Sequence, residues 1–196
     1  MPADLLVVGL GNPGEEFAKT RHNAGAEVVE VLTRRHGVKL KKSRRDRALV
    51  AETRMSGRRV TLGVPLTYMN DSGEAVGPLA RHYEVAPEQI VVVHDELDLP
   101  FATLKVKVGG GLAGHNGLRS IKHHLRSAEF VRVRIGIGKP PSKERGADHV
   151  LSRMPKRDRE AMDVTIEEAA DAVECIATDG VDAAMNRYNA RTPDMG

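Results

Sequence analysis

Tryptophan is absent from the 196-residue chain, and three phenylalanines and three tyrosines bring aromatics to only 3%. A core built from this composition must rest on Val, Leu, Ile, Met and Ala. Platforms for stacking bases are scarce, so a nucleic-acid partner would be held mainly by its phosphates. A single cysteine, Cys175, excludes an internal disulfide and a cysteine metal cluster. It lies in a helical stretch, Ala169 to Ala177, and reads as a packed thiol. No apolar run approaches the roughly 18 residues of a membrane span, and Met1-Pro2-Ala3-Asp4 lacks the charged start of a signal peptide. A soluble, cytoplasmic protein without membrane contact is expected.

Familiar catalytic signatures are missing as well. There is no Gly-x-Ser-x-Gly elbow, which argues against a covalent acyl-enzyme and leaves water as the nucleophile of any hydrolysis. No His-Glu-x-x-His pattern occurs among the eight histidines. The three acids Asp95, Glu96 and Asp98 fit a solvated turn better than a Mg²⁺ site. Neither metal nor cofactor is expected.

The length and a 40% hydrophobic content suit one domain spanning residues 1–196, with a disordered tail from about 190. Net charge is +3, but it is unevenly spread. Arg157 to Asp182 holds nine acids and two bases, a net −7, which leaves +10 for the rest. Such a division suits a polyanion approaching the basic body from the other side, and equally a solubilising helix face.

Leu5 to Leu10 reads as a buried strand ending in a turn, followed by a helix from Ala24 to His36. Lys39 to Arg47, with six bases in nine residues, predicts an exposed loop. Ala48 to Met55 and Arg59 to Val64 flank Ser56-Gly57-Arg58, a hairpin that makes the sheet mixed. A helix is expected from near Ser72 towards Tyr83, a strand over Ile90 to Val93, and a short strand over Leu104 to Val108 with Lys105 and Lys107 on one face. Gly117 to Leu125 reads as a helix, Phe130 to Ile137 as a strand, Pro140 to Gly146 as a loop and Lys156 to Thr178 as the longest helix. The pattern predicts a single-domain α/β fold on a mixed sheet.

Gly9-Leu-Gly11-Asn-Pro-Gly14 matches the dinucleotide fingerprint by letter. Pro13 interrupts it, however, and Glu15 and Glu16 would repel a pyrophosphate, so a dinucleotide role is not expected. The run Gly109 to Gly117 lacks a Gly-Lys-Ser/Thr ending. It would suit either an anion approached by backbone N–H groups or a plain flexible loop.

There remain polar residues at the ends of apolar elements: Asn12, His22, Asn23, Asn70, Asp95, His115 and Asn116. Histidine titrates near neutrality and an aspartate can fix its tautomer, so such a pair can make water nucleophilic. Asparagine amides can hold a peptide backbone and a developing oxyanion without carrying charge.

Six ordered stretches resemble the bacterial-type peptidyl-tRNA hydrolase family: Val8 to Gly14, Thr20 to Gly25, Pro65 to Gly73, His94 to Pro100, Gly114 to Leu118 and Arg134 to Gly138. The resemblance implies a monomeric, single-domain three-layer α/β/α sandwich on a mixed, mostly parallel twisted sheet, acting on peptidyl-tRNA, with His22 as base, Asp95 as its partner and Asn12 positioning water. It further implies substrate contacts from Phe17, Met69, Asn70, Gly114, His115 and Asn116, and phosphate contacts from Lys105, Lys107 and Arg134. Phe17 stands where many members have tyrosine, and Leu112-Ala113 replaces a commoner His-Gly.

Overall fold

A computed structural model describes residues 2–190 of the chain; the expected tail beyond 190 lies outside the described residues. Seven strands form one sheet in the order β2-β3-β4-β1-β5-β7-β6. They are β1 (Leu5–Gly9), β2 (Lys41–Ser43), β3 (Ala48–Met55), β4 (Arg58–Pro65), β5 (Ile90–Glu96), β6 (Leu104–Val108) and β7 (Val131–Gly136). The strands β4, β1, β5 and β7 run parallel, while β2, β3 and β6 pair antiparallel at the two edges. The mixed single-domain sheet is the one read from the hairpin signal.

Among the described residues there are six α-helices: α1 (Ala24–Arg35), α2 (Gly73–His82), α3 (Asn116–Leu125), α4 (Gly146–Val150), α5 (Lys156–Asp179) and α6 (Val181–Asn189). The side-chain alternation of a strand divides the central strands between two cores. Leu5, Val7, Val91 and Val93 meet Val28 and Leu32 of α1 and Ala169 and Val173 of α5. On the opposite face, Leu6, Val8, Ile90 and Val92 meet Val76 and Leu79 of α2 and Leu118 and Ile121 of α3. Strands buried on both faces read as unbroken apolar runs.

Several elements differ from expectation. The basic segment 39–47 is a short edge strand and a built turn: the buried carboxylate of Asp46 accepts from Ser43 Oγ at 2.7 Å and meets His82 Nδ1 at 2.8 Å. A carboxylate amid bases gives the segment an anchor that a count of charges hides. Strand β5 runs on through His94, Asp95 and Glu96, because β7 continues to pair with it as far as Glu96↔Gly136. The expected polar loop holds one 3-10 turn at Lys143–Arg145, helix α4 follows directly from its end, and α6 follows α5 after Gly180. Finally, the acidic face of α5 packs on the basic end of α1, where Arg35 meets Glu167 at 2.7 Å and both Asp171 and Glu174 at 2.8 Å. Part of that charge is thus paired within the chain. Among the described residues no helix is long and apolar enough to cross a membrane.

Candidate active site

The first turn of α1 crosses the ends of β1 and β5 at backbone contact. A Cβ on Gly9 would lie 2.2 Å from the Gly25 carbonyl oxygen, and one on Gly25 would lie 2.1 Å from that of Val93. Only glycine permits this approach. Leu10 N–H donates to Val93 O at 3.0 Å and Ala26 N–H to Leu10 O at 3.0 Å, tying the three elements together. The crossing brings the loop after β1, the turn before α1 and the end of β5 into one place. The glycine motif therefore serves helix packing: it leads into a short turn at Glu15–Phe17 and opens no phosphate-binding helix.

A crevice of about 440 Å³ opens there. His22, Asp95, Asn12, Phe17, Met69, Asn70, Gly114, His115 and Asn116 all line it. At its base His22 Nδ1 meets Asp95 Oδ2 at 2.8 Å, and His115 Nε2 meets Asp95 Oδ1 at 2.9 Å. Leu118 N–H donates to His115 Nδ1 at 3.3 Å. That bond makes Nδ1 of His115 the acceptor, so its Nε2 carries the hydrogen given to Asp95. On His22, Nδ1–H donates to the carboxylate and Nε2 keeps the lone pair. One buried carboxylate thus orients two imidazoles.

The carboxylate is 2% exposed on the side chain. Burial would raise its pKa, but His22 and His115 outweigh this and hold it well below the usual carboxylate range. For His22, burial would lower the pKa, while the charge of Asp95 and the hydrogen bond to it bring the net value above that of a free imidazole. His94 is buried beneath this pair, its Nδ1 2.7 Å from Asp95 O and its ring 5.1 Å from that of His115. Burial and His115 push its pKa down to about 3, so it is neutral. The expected solvated turn of Asp95, Glu96 and Asp98 is not what forms: Asp95 and Glu96 are buried because β5 carries them into the sheet. Among the described residues, His22, Asp95 and His115 are the one group of metal-ligand type, with atoms within 4.8 Å of one another.

Three asparagines face the crevice in different ways. Asn12 is fixed by Asn23, which accepts the Asn12 N–H at 2.9 Å and donates to its carbonyl at 2.9 Å. Asn12 Oδ1 accepts the Met69 N–H at 2.6 Å, which leaves the Asn12 amide hydrogens to the crevice. Asn70 and Asn116 are exposed and available to a ligand. Two features of the wall escaped the sequence reading. Tyr68, 61% exposed, stands edge-on to Phe17 with ring centroids 6.3 Å apart. Its signal was its position directly before Met69 and Asn70. The other is α4, whose Gly146, Ala147 and Val150 line the far side. Arg21 ties this helix to the His22 segment through His149 O at 3.3 Å and through Ser152.

The expected phosphate residues are not among those lining the crevice: Lys105 and Lys107 lie on the edge strand β6 and Arg134 on the neighbouring β7, where Lys105 faces Arg134 and Lys107 faces Arg132 in register. Arg134 is not a free cation: its Nε donates to Glu96 Oε1 at 3.1 Å.

The family model described as peptidyl-tRNA hydrolase matches residues 6–195. A peptidyl-tRNA hydrolase of Mycolicibacterium vanbaalenii is 48% identical over 190 residues, covering 97% of this chain and 99% of that one. One of Mycobacterium tuberculosis is 47% identical, covering 97% of this chain and all of its own length. The crystal structure of the Acinetobacter baumannii peptidyl-tRNA hydrolase, 43% identical, superposes with a TM-score of 0.91 over 97% of each chain. With the family model matching residues 6–195 and a relative 48% identical over 97% of this chain and 99% of its own, the chain belongs to the peptidyl-tRNA hydrolase family.

Proposed function

We propose that the protein hydrolyses the ester joining a peptidyl group to the 3′-terminal ribose of a tRNA, with His22 as the base that activates water. The observation carrying this reading is the His22–Asp95 bond of 2.8 Å at the base of an asparagine-lined crevice. Water attacks the ester carbonyl carbon as His22 Nε2 takes its proton. The carbonyl oxygen becomes an oxyanion, which accepts from the Asn12 amide N–H; the bond from the Met69 N–H to Asn12 Oδ1, which turns that amide's hydrogens to the crevice, supports this. The carbon–ribose oxygen bond then breaks, and the imidazolium returns the proton to the departing ribose oxygen. An ester is open to attack by an activated water, so neither metal nor cofactor is invoked: the Asp95 carboxylate offsets the positive charge that His22 gains on taking the proton.

Asn70 and Asn116 bind the peptide portion, with Met69, Gly114 and Phe17 forming the walls. An aminoacyl ester lacks the additional peptide group and leaves these amides unfilled, which penalises it. Lys105 and Lys107 take tRNA phosphates. Arg134, paired with Glu96, joins them as part of a local charge network. The protein works as a cytoplasmic monomer.

The test is release of the acyl group from an N-acyl-aminoacyl-tRNA. The parent protein turns it over, and His22→Ala, with its fold verified by circular dichroism, loses about 10²- to 10⁴-fold in kcat. Full turnover by the variant removes His22 from the base role. Tight RNA binding with no turnover by the parent makes the protein a binding module.

A further inference from the structure

The glycine run between β6 and α3 is held by an arginine with an unusual set of partners. Arg132 on β7 is 1% exposed. Its guanidinium donates to the carbonyls of Gly111, of Gly110 at 3.2 Å and of Ala128 at 2.9 Å, and lies 4.5 Å from the centre of the Phe130 ring. Burying a cation against neutral carbonyls is costly, and an apolar side chain could fill the same volume. The guanidinium fork, however, binds two successive carbonyls of one loop at once.

Its consequence follows from peptide geometry. In a trans peptide the N–H of one residue points opposite to the C=O of the residue before it. With the Gly110 and Gly111 carbonyls turned in towards Arg132, the N–H groups of Gly111 and Leu112 point away from it. Gly110 and Gly111 are exposed, and neither the Gly111 nor the Leu112 N–H donates within the protein among the described residues. The Lys107 ammonium lies beside the preceding residue, 2.7 Å from where a Cβ on Gly110 would lie. Glu129 lies at the start of the run, against Gly109. Two adjacent outward amides with an ammonium close by make a donor set of the kind that receives anions.

We infer that Arg132 is a positioning residue that holds this loop with its carbonyls inward, so that the Gly111 and Leu112 amides and Lys107 form a cradle for a backbone phosphate of the RNA substrate. The inference rests on the tRNA-ester reading above and adds to it a subsite and the residue that builds it. It also chooses between the two readings of the glycine run, because a loop bound through two carbonyls to a buried side chain is not simply flexible. The same loop leads directly to His115 and Asn116, so a phosphate seated on it would register the acceptor strand against the catalytic pair.

The test is an amide-resolved NMR titration of the full chain. One arm uses an RNA hairpin with an unpaired 3′ end that mimics a tRNA acceptor stem; the other uses inorganic phosphate. The Gly111 and Leu112 amide signals are expected to shift with RNA at concentrations far below those needed with phosphate. Arg132→Lys, which keeps the charge and loses the fork, is expected to weaken hairpin binding about tenfold, the loss of one charge-assisted contact. Its defect towards N-acyl-aminoacyl-tRNA should fall on KM more than on kcat. Leu112→Pro deletes one N–H while leaving Arg132 in place, and should weaken the hairpin to a similar degree. Amides that do not move at saturating RNA overturn the inference, as do amides that move with phosphate alone, marking a general anion site. Unaltered hairpin binding by both variants overturns it equally. Failure of the parent to hydrolyse the ester would refute the enzyme reading instead, since the amide shifts report the cradle without turnover.

Discussion

Replacing Asp95 by asparagine alters almost no volume, yet the bonding around it dictates a specific failure. The carboxylate accepts from His22 Nδ1 at 2.8 Å and from His115 Nε2 at 2.9 Å. An amide offers one acceptor and one donor group, so the two imidazoles compete for its oxygen. His115 is committed, because the Leu118 N–H occupies its Nδ1 and keeps the hydrogen on Nε2. The amide oxygen therefore turns to His115 and the NH₂ group to His22. That donor forces His22 Nδ1 to accept, moves its hydrogen to Nε2 and removes the lone pair that takes the proton from water. A wrong tautomer of this kind costs on the order of 10⁴ in kcat in hydrolases with an Asp-oriented histidine. Single-turnover hydrolysis of an N-acyl-aminoacyl-tRNA measures it. Adding His115→Leu to Asp95→Asn frees the amide to rotate, and should recover about tenfold or more of the lost rate. A single variant within about tenfold of the parent, or a double variant no faster than the single, refutes the tautomer argument.

Other outcomes follow from the same geometry. Because Asp95 raises the pKa of His22, and only the neutral ring accepts a proton, kcat/KM should rise with pH through a pKa above that of free imidazole; an acid limb below that of a free imidazole contradicts it. Asp95 itself has a depressed pKa, so its stabilisation of the fold is present above the unfolded value of about 3.9 and is lost as pH falls below it. The gap in unfolding free energy between the parent and Asp95→Asn should change through that range in urea melts. Lys105→Ala with Lys107→Ala should lower the slope of log affinity for tRNA against log salt by about 1 to 2; an unchanged slope clears both lysines of phosphate contact. Gly25→Ala would place a Cβ 2.1 Å from the Val93 oxygen. A cost of about 1–3 kcal/mol, or a Tm drop of roughly 2–12 °C, is expected by calorimetry.

The central strands were legible in the sequence because burial on both faces writes an unbroken apolar run, as in Leu5 to Leu10 and Ile90 to Val93. The polar positions around the crevice were legible as a set, since Asn12, His22 and Asp95 interrupt elements that otherwise read cleanly. Roles within the set came from the family resemblance. What escaped depended on partners distant in sequence. Strand β5 was ended too early, since His94, Asp95 and Glu96 look like a polar turn until β7 pairs with them. The bond from His115 to Asp95, 20 residues away, is likewise invisible in the sequence, which shows His115 only as one of the crevice's polar residues. Nothing local to Arg134 announces Glu96 as its partner. Helix α6 lay hidden behind Gly180, where the preceding helix ends with φ at 95°.

That last helix bears on solubility through one side chain. Asn189 Oδ1 accepts the Val106 N–H at 2.7 Å, and its Nδ2 donates to the Val106 carbonyl at 2.8 Å, so a single amide acts as a surrogate strand along β6. Unprotected sheet edges recruit other chains. Here the valine-containing edge that carries Lys105 and Lys107 is closed at its middle, where a second molecule would otherwise dock. A chain cut before Asn189 would reopen it, turning the surface offered to tRNA into one prone to self-association.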